Sequence, residues 1–278
     1  SNFYLNLSIY LNPKFYFNLT HLLENSLENN NYNLTRKILK NFNEEDEIYY
    51  WYKLKKMYQI IYNEEGPDEA LNYIEAKFNK YTNPSIKILY DMANIYKNSK
   101  KFEESIKYYS KVLKKINKNS AAYADVLYKR GSSYERLGDN ESSDKDLLKS
   151  LSIKPNDPYV LNYLGYGWLE RGYKIKDAID MLDKAYNQKQ NDPFIIDSVG
   201  WGYYLIGDYI NAEIFLRKAI QLMPNDPIIN DHYGDVLWKL NRKIQAKYYW
   251  QSSFNSKETE YELKMKIKRK LLKGLDKV

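Results

Sequence analysis

The sequence predicts an all-α protein in which antiparallel helix-turn-helix hairpins follow one another and stack into a solenoid. Three patterns predict it: a glycine that recurs inside a helical pattern, an Asn-Asp-Pro boundary that recurs with it, and a glycine turn between the two. The glycines are spaced by 34, 35 and 34 residues. A unit of that length holds one helical hairpin, and such units stack along one axis because each buries its apolar face against its neighbours.

The recurring glycines mark the place where we expect two helices to touch. They are Gly131, Gly165, Gly200 and Gly234. A second small residue follows each of them at a nearly fixed distance, namely Ser143, Ala178, Ala212 and Ala246. Where one helix crosses another closely, little room is left for side-chain bulk. The pairs therefore predict the contact between the two antiparallel helices of each hairpin.

The ends of the predicted helices carry their own signals. Asn-Asp-Pro occurs at residues 156–158, 191–193 and 225–227. Asp is a preferred N-cap, and Pro suits the first helical position because its missing N–H would have no intrahelical partner there. Between the helices, a glycine is expected to end the first helix with a positive φ. These turn glycines are Gly138, Gly172 and Gly207.

The pattern weakens toward the N-terminus but continues. Ala93 and Ser105 stand where the glycine and its small partner belong, and Asn83-Pro84 opens their unit. The first hairpin is expected to be degenerate, with Asn12-Pro13 at its start and Asn29–Asn31 at its turn. The whole division is a degenerate hairpin at 1–45, six repeats at 46–82, 83–119, 120–155, 156–190, 191–224 and 225–256, and a C-terminal capping helix at 257–278.

Residues 120–255 resemble the tetratricopeptide repeat family, which is built from helix-turn-helix units of about 34 residues. The residues that carry the resemblance in two of the units are Tyr134, Gly138, Leu147 and Pro155, then Tyr203, Gly207, Leu216, Ala219 and Pro224. Residues 46–119 match moderately and residues 1–45 only loosely. The resemblance implies a right-handed superhelical solenoid whose first helices line a concave groove. It also implies a scaffold that binds a protein or peptide partner and is not an enzyme.

Two positions depart from the family pattern. Asn230 stands at a usually apolar position, which predicts looser packing near the C-terminal end, and Gln190 replaces the usual proline of a turn. Residues 161–250 also resemble bacterial multi-repeat proteins of undefined role, some of them envelope-associated. That resemblance leaves the localisation open between the bacterial cytoplasm and the periplasm or cell envelope. Since the sequence starts at Ser1-Asn2 without Met, a preceding signal segment is left open too.

Composition argues against several kinds of site. The chain has no cysteine and only two histidines, so we expect no disulfide framework and no metal centre. No phosphate-binding glycine loop and no nucleophile elbow appears, and we expect no catalytic residue and no cofactor. Although the net charge is +7, 36 acidic residues are mixed among 43 basic ones. We therefore expect no nucleic-acid ligand. No apolar run reaches the roughly 20 residues that span a bilayer, and we expect no direct membrane contact.

The candidate binding face follows from helical geometry. Residues three before, one after and four after each recurring glycine share the face that turns away from the helix crossing. In the last three hairpins that face combines aromatic rings with polar side chains, which would anchor an extended peptide and orient its amides or basic groups. The candidate peptide-binding residues are Asn162, Tyr166, Asp197, Trp201, Tyr204, Asp231, Asp235 and Trp238.

Other interpretations of this face stay open at the level of sequence. The rings could instead pack against one another or under the C-terminal helix. The positive net charge and the many aromatic rings also suit an RNA-binding helical-repeat protein, and a structural module could use its faces for self-association. The oligomeric state is not predicted. Members of the resembled family that clamp acidic chaperone tails use basic residues on this face, so the acidic face here disfavours such a ligand.

Residues 257–275 predict one more helix, with Tyr261, Met265, Leu272 and Leu275 on an apolar face. A solenoid needs such a cap, since its last hairpin otherwise exposes packing surface to water. The basic side of this helix, Lys264 to Lys273, could instead contact anionic lipid or nucleic acid. His232 stands near Asp231 and Asp235, and we expect it to be structural or groove-lining rather than catalytic.

Overall fold

The computed structural model describes residues 4, 7, 10–12 and 16–275, and these residues form helices, turns and loops without a β-strand. Fifteen helices follow one another between Tyr16 and Lys273. Consecutive helices pack as hairpins joined by short turns. The predicted fold class, an all-α array of helix-turn-helix repeats, is confirmed.

The first of two compact units comprises residues 1–115. In its first hairpin, Leu23 and Leu39 are buried and the Ser26 and Thr35 hydroxyls share a hydrogen bond of 2.8 Å. Pro13, part of the predicted start of this hairpin, lies outside the described residues. The helices of this unit are α1 (Tyr16–Glu28), α2 (Tyr32–Leu39), α3 (Glu47–Glu64), α4 (Pro67–Phe78), α5 (Ile86–Asn98) and α6 (Phe102–Leu113).

The second compact unit comprises residues 116–278, so the boundary falls inside the predicted repeat 83–119. The division into repeats stays a prediction, and each of its six segments contains two helices. The helices of the second unit are α7 (Ala121–Arg136), α8 (Asn140–Ile153), α9 (Pro158–Glu170), α10 (Ile175–Gln188), α11 (Pro193–Leu205), α12 (Tyr209–Leu222), α13 (Pro227–Lys239), α14 (Lys243–Asn255) and α15 (Tyr261–Lys273).

The predicted helix boundaries of the second unit are confirmed. The carboxylates of Asp157, Asp192 and Asp226 each accept hydrogen bonds from two backbone amides of the first turn, and a proline occupies the first helical position each time. Removing such a cap costs about 1 kcal/mol. Gly138, Gly172 and Gly207 have φ values of 80°, 62° and 86°. The same three-residue signal thus begins α9, α11 and α13 in the same register.

The recurring glycines lie at close helix crossings, as predicted, but the atoms nearest to them are only partly those expected. A Cβ on Gly165 would lie 2.9 Å from the carbonyl oxygen of Ala178, its predicted partner. A Cβ on Gly200 would lie 2.7 Å from Cγ of Leu216, one turn beyond the predicted Ala212. The glycine therefore receives a large side chain from the second helix, while the small residue lets the two backbones approach.

Asn230 does not loosen the last hairpin, contrary to the sequence-based prediction. Its side chain is 2% exposed, and its amide nitrogen donates to the carbonyl oxygens of Pro224 at 2.8 Å and Asp226 at 2.7 Å. Buried polar groups cost little stability when they are hydrogen-bonded. Asn230 therefore ties the start of α13 to the preceding turn.

Of the four residues predicted for the apolar face of the C-terminal helix, only Leu275 packs against the core. Tyr261 and Leu272 are exposed at 76% and 74%, whereas Ile267 is fully buried. Leu263, Leu271 and Leu275 pack against the same core. The reason is that Lys270 points inward to two carboxylates and so fixes the rotation of the helix. Because this buried face contains a lysine, the apolar pattern of the sequence does not identify it.

Replacing Gly165 by alanine is expected to destabilise the second unit. The added methyl group would meet a backbone oxygen, which can move only if the two helices separate, and overpacking of this kind costs about 1–3 kcal/mol. Gly167 on the same helix is a matched control, because a methyl group there meets nothing nearer than an Arg171 nitrogen at 4.0 Å. Gly167→Ala should stabilise the helix by about 0.5–1 kcal/mol. Urea unfolding of both variants measures the difference, and equal effects would contradict the close crossing.

Candidate functional site

A cavity of about 370 Å³ opens on the first helices of successive hairpins in the second unit. This volume is within the usual size of ligand pockets, which is about 300–1,000 Å³. Residues from the end of α7, from α9 and from the starts of α11 and α13 line it. They are Glu135, Arg136, Asn162, Tyr163, Tyr166, Gly167, Phe194, Asp197, Ser198, Asp226, Ile228 and Ile229. The cavity thus brings together three of the predicted residues, Asn162, Tyr166 and Asp197.

Asn162 lines the cavity and carries a side-chain acceptor that no donor satisfies. Its Oδ1 is buried and has no hydrogen-bond partner. An unpaired buried acceptor costs about 1–3 kcal/mol relative to a paired one. A ligand that donated a hydrogen bond to Asn162 would recover that cost on binding.

Tyr166 lies in a negative electrostatic field. Burial raises the pKa of its hydroxyl, and the carboxylates of Glu170, Asp197, Glu135 and Asp231 raise the pKa further. The hydroxyl therefore stays protonated at neutral pH. A second cavity of about 190 Å³ also borders Tyr166.

Asp197 is paired with a basic group of the next hairpin. Both of its oxygens lie 3.0 Å from Nδ1 of His232, and both residues are buried. Burial alone would lower the pKa of His232. The charges of Asp197, Asp231 and Asp235 and the hydrogen bond to Asp197 outweigh burial and raise this pKa. The predicted structural or groove-lining role of His232 agrees with this position.

Trp201 and Tyr204 form one stack with His232. The Trp201 ring lies 4.0 Å from the His232 ring and 4.5 Å from the Tyr204 ring, with interplanar angles of 14° in both pairs. The indole nitrogen of Trp201 donates to Glu170. These two predicted anchors are half-buried, and their rings are engaged by His232, Glu170 and each other. They do not line the cavity.

Asp231 and Asp235 are engaged by the C-terminal helix. Nζ of Lys270 donates to Oδ2 of each at 2.8 Å, and the indole nitrogen of Trp250 donates to the other oxygen of Asp235 at 2.8 Å. Oδ1 of Asp231 is buried without a partner. Burial raises the pKa of Asp235 to about 6, although Lys270 opposes the shift. Neither carboxylate lines the cavity.

Trp238 packs against the C-terminal segment, the arrangement that the sequence left open as an alternative. Its ring lies 5.2 Å from the ring of Trp250. A methyl group on Gly274 would lie 2.1 Å from Cζ2 of Trp238, so only glycine fits there. Trp238 therefore contributes to the junction between α13 and the end of the chain.

The sequence-based prediction missed the apolar rim of the cavity. Phe194 and Ile228 line it and are exposed at 53% and 50%. A signal for them exists, because each directly follows an Asp-Pro boundary, as Tyr159 does one hairpin earlier. A large apolar side chain recurs at this position, and it is half-exposed each time. Packing in the core therefore does not explain why the position is apolar.

The geometry above is that of a known repeat class. The family model described as Tetratricopeptide repeat matches residues 19–256. The chain belongs to the tetratricopeptide repeat family, whose fold generally mediates protein–protein interaction.

Solved structures show the same fold. TTC0263, a thermophilic TPR protein of Thermus thermophilus, is 16% identical, with a TM-score of 0.58 over 68% of this chain and 100% of that one. PilW, a type IV pilus biogenesis factor, is 19% identical, with a TM-score of 0.57 over 70% and 89%. PilF of Pseudomonas aeruginosa is 18% identical, with a TM-score of 0.53 over 69% and 86%.

Two further findings concern the part of the chain that the structure describes. It contains no helix of sufficient length and apolarity to cross a bilayer. It also contains no group of three or more histidine, aspartate or glutamate side chains arranged to hold a metal ion.

Replacing Lys270 by methionine is expected to destabilise the second unit by about 3–5 kcal/mol at pH 8, because two buried carboxylates lose their counter-charge. The loss should shrink at pH 5. The pKa of Asp235, already about 6, rises further without Lys270, so the folded state takes up a proton as the pH falls. Urea unfolding at the two pH values tests this. Lys268→Met, on the exposed side of the same helix, should change stability by less than about 0.5 kcal/mol. A pH-independent loss would show that charge is not the cause.

His232 is expected to titrate above its ordinary range near 6.5, and Asp197→Asn should lower its pKa. NMR of the imidazole resonances measures both values, and the chain simplifies the experiment because it has only two histidines. His21→Gln assigns the spectrum. Since the folded pKa is raised, the pair stabilises the fold fully below the unfolded pKa and loses this effect as the pH rises through the folded pKa. An unchanged His232 pKa in Asp197→Asn would argue against the pair.

Proposed function

We propose that this chain is a protein-interaction scaffold whose second unit binds an extended peptide segment of another protein in the 370 Å³ cavity. Its mechanism is binding without a chemical step. The peptide contacts Asn162, Tyr166 and Asp197 and the apolar side chains of Phe194 and Ile228. The other five predicted residues stabilise the inner face, which is the face of the first helices that carries Asn162, Asp197 and Asp231. They are Trp201, Tyr204, Asp231, Asp235 and Trp238.

The observation that carries the proposal is the half-exposure of Phe194 and Ile228 beside polar atoms of the cavity. Each apolar side chain that moves from water into a contact gains about 25 cal/mol per Å² of buried area. Ligand sites combine such apolar surface with a few polar groups that fix orientation. Family membership supports a protein partner over a small molecule.

Binding of RNA finds no support at this site. The lining includes the carboxylates of Glu135, Asp197 and Asp226, and phosphates would face them. A peptide offers backbone amides and side-chain donors to the same groups.

The double variant Phe194→Ala, Ile228→Ala should lose the partner. Both side chains are half-exposed, so their truncation should leave the fold intact, while the loss of two apolar contacts should weaken binding at least about 10-fold. The measurement is affinity capture from native extract with quantitative mass spectrometry. It compares the proteins retained by the wild-type chain and by each variant at equal loading.

Ile210→Ala, Ile214→Ala is the matched control. These isoleucines lie on α12, are exposed at 64% and 51%, and do not line the cavity. Proteins that bind in the cavity should be retained by this variant and lost from the Phe194, Ile228 variant. The opposite pattern would place the interaction on the second helices and refute the proposed site.

A further inference from the structure

The lining of the cavity has a charge pattern that bears on the chemistry of the ligand. It contains the three carboxylates of Glu135, Asp197 and Asp226 and one guanidinium, that of Arg136. Glu170 also lies close enough to act on the pKa of Tyr166. His232 offsets part of the charge of Asp197. A negative potential therefore remains at the cavity, and it favours a cation over an anion.

These carboxylates keep capacity to accept further hydrogen bonds. Oε2 of Glu135 accepts from the hydroxyl of Tyr163 at 2.9 Å, and Asp197 accepts from a single nitrogen of His232. A carboxylate has about four acceptor positions, so each can take a further donor. Asp226 caps α13 with its Oδ1 and keeps Oδ2 for a further donor. Together with Oδ1 of Asn162, the cavity offers acceptors from four side chains and calls for a ligand with several donors.

The chain itself shows which group satisfies such acceptors one repeat further on. Asp231 follows Asp197 by 34 residues, and its carboxylate, with that of Asp235, binds the ammonium of Lys270. One hairpin earlier, at the equivalent position, Asp197 pairs with the imidazole of His232. Basic side chains therefore pair with the acidic residues at this position in two successive hairpins. The cavity beside Asn162 lies one step earlier along the same inner face.

From these contacts we infer that the cavity takes the side chain of a lysine or arginine of the partner, with a neighbouring apolar residue of the same peptide on Phe194 and Ile228. The cationic head donates to Asn162, Asp197 and Glu135. The inference rests on the proposed function and specifies its ligand as a basic, locally apolar peptide segment. A buried cation needs such paired acceptors, since desolvation without them is costly.

A degenerate octapeptide library tests the inference. The peptides are acetylated and amidated, so that no terminal charge competes, and are passed over the immobilised chain before the retained pool is sequenced. We expect lysine or arginine to be enriched at least fivefold at one position, with leucine, isoleucine or phenylalanine enriched within two residues of it. Glu135→Gln should lower the enrichment of basic residues at least threefold. Asp180→Asn, an exposed carboxylate on α10 that does not line the cavity, should leave it unchanged.

The most enriched octapeptide then gives an affinity by fluorescence anisotropy. Replacing its basic residue by norleucine, which keeps the aliphatic length without the charge, should weaken binding at least 10-fold. The inference would be overturned if the two peptides bound with equal affinity or if the retained pool were enriched in acidic residues. Either result would leave peptide binding in the cavity intact. If the wild-type chain retains no more peptide than the Phe194→Ala, Ile228→Ala variant, the proposed peptide binding in the cavity is refuted, and the inference about its ligand is refuted with it.

Discussion

The close crossing of the two helices in each hairpin is the constraint on which the second unit depends. At Gly165 and Gly200 the second helix comes so near that a single methyl group would meet its atoms at 2.9 and 2.7 Å. This contact fixes the rotation of the first helix. The residue three before each glycine then takes the same orientation in successive hairpins, which is why Asn162, Asp197 and Asp231 share one face. The position of the cavity and of its charges therefore depends on a packing requirement of the same helices.

The inner face is stabilised by charge pairs that join one hairpin to the next. Asp197 depends on His232, and Asp231 and Asp235 depend on Lys270. All three carboxylates are buried, and the first helix of the next hairpin or the C-terminal helix supplies each with a basic partner. The end of the second unit uses this pairing in place of an entirely apolar interface. The cavity lies at the step where Asn162, a neutral residue, replaces the aspartate.

The fold could be predicted from the sequence because its determinants are local. Asp-Pro boundaries, turn glycines and the spacing of the glycines each specify a short stretch of backbone. The site could be predicted only in part. Asn162, Tyr166 and Asp197 follow from helical phase, but the positions of Trp238 and Lys270 depend on contacts between α13 and the C-terminal segment. Phe194 and Ile228 were not predicted, since one helix alone cannot show which apolar side chains its neighbours leave uncovered.

Pairing across hairpins limits how this array can change length during evolution. A duplicated or deleted hairpin would separate an aspartate from the basic residue that neutralises it, because His232 and Lys270 each lie one unit beyond their partners. The lengthened or shortened chain would keep the glycines at the helix crossings and the Asp-Pro caps, but it would bury a carboxylate without its basic partner. The C-terminal hairpins are therefore not interchangeable modules, although their backbones repeat. Gain or loss of a unit there requires a second, compensating substitution at the new junction.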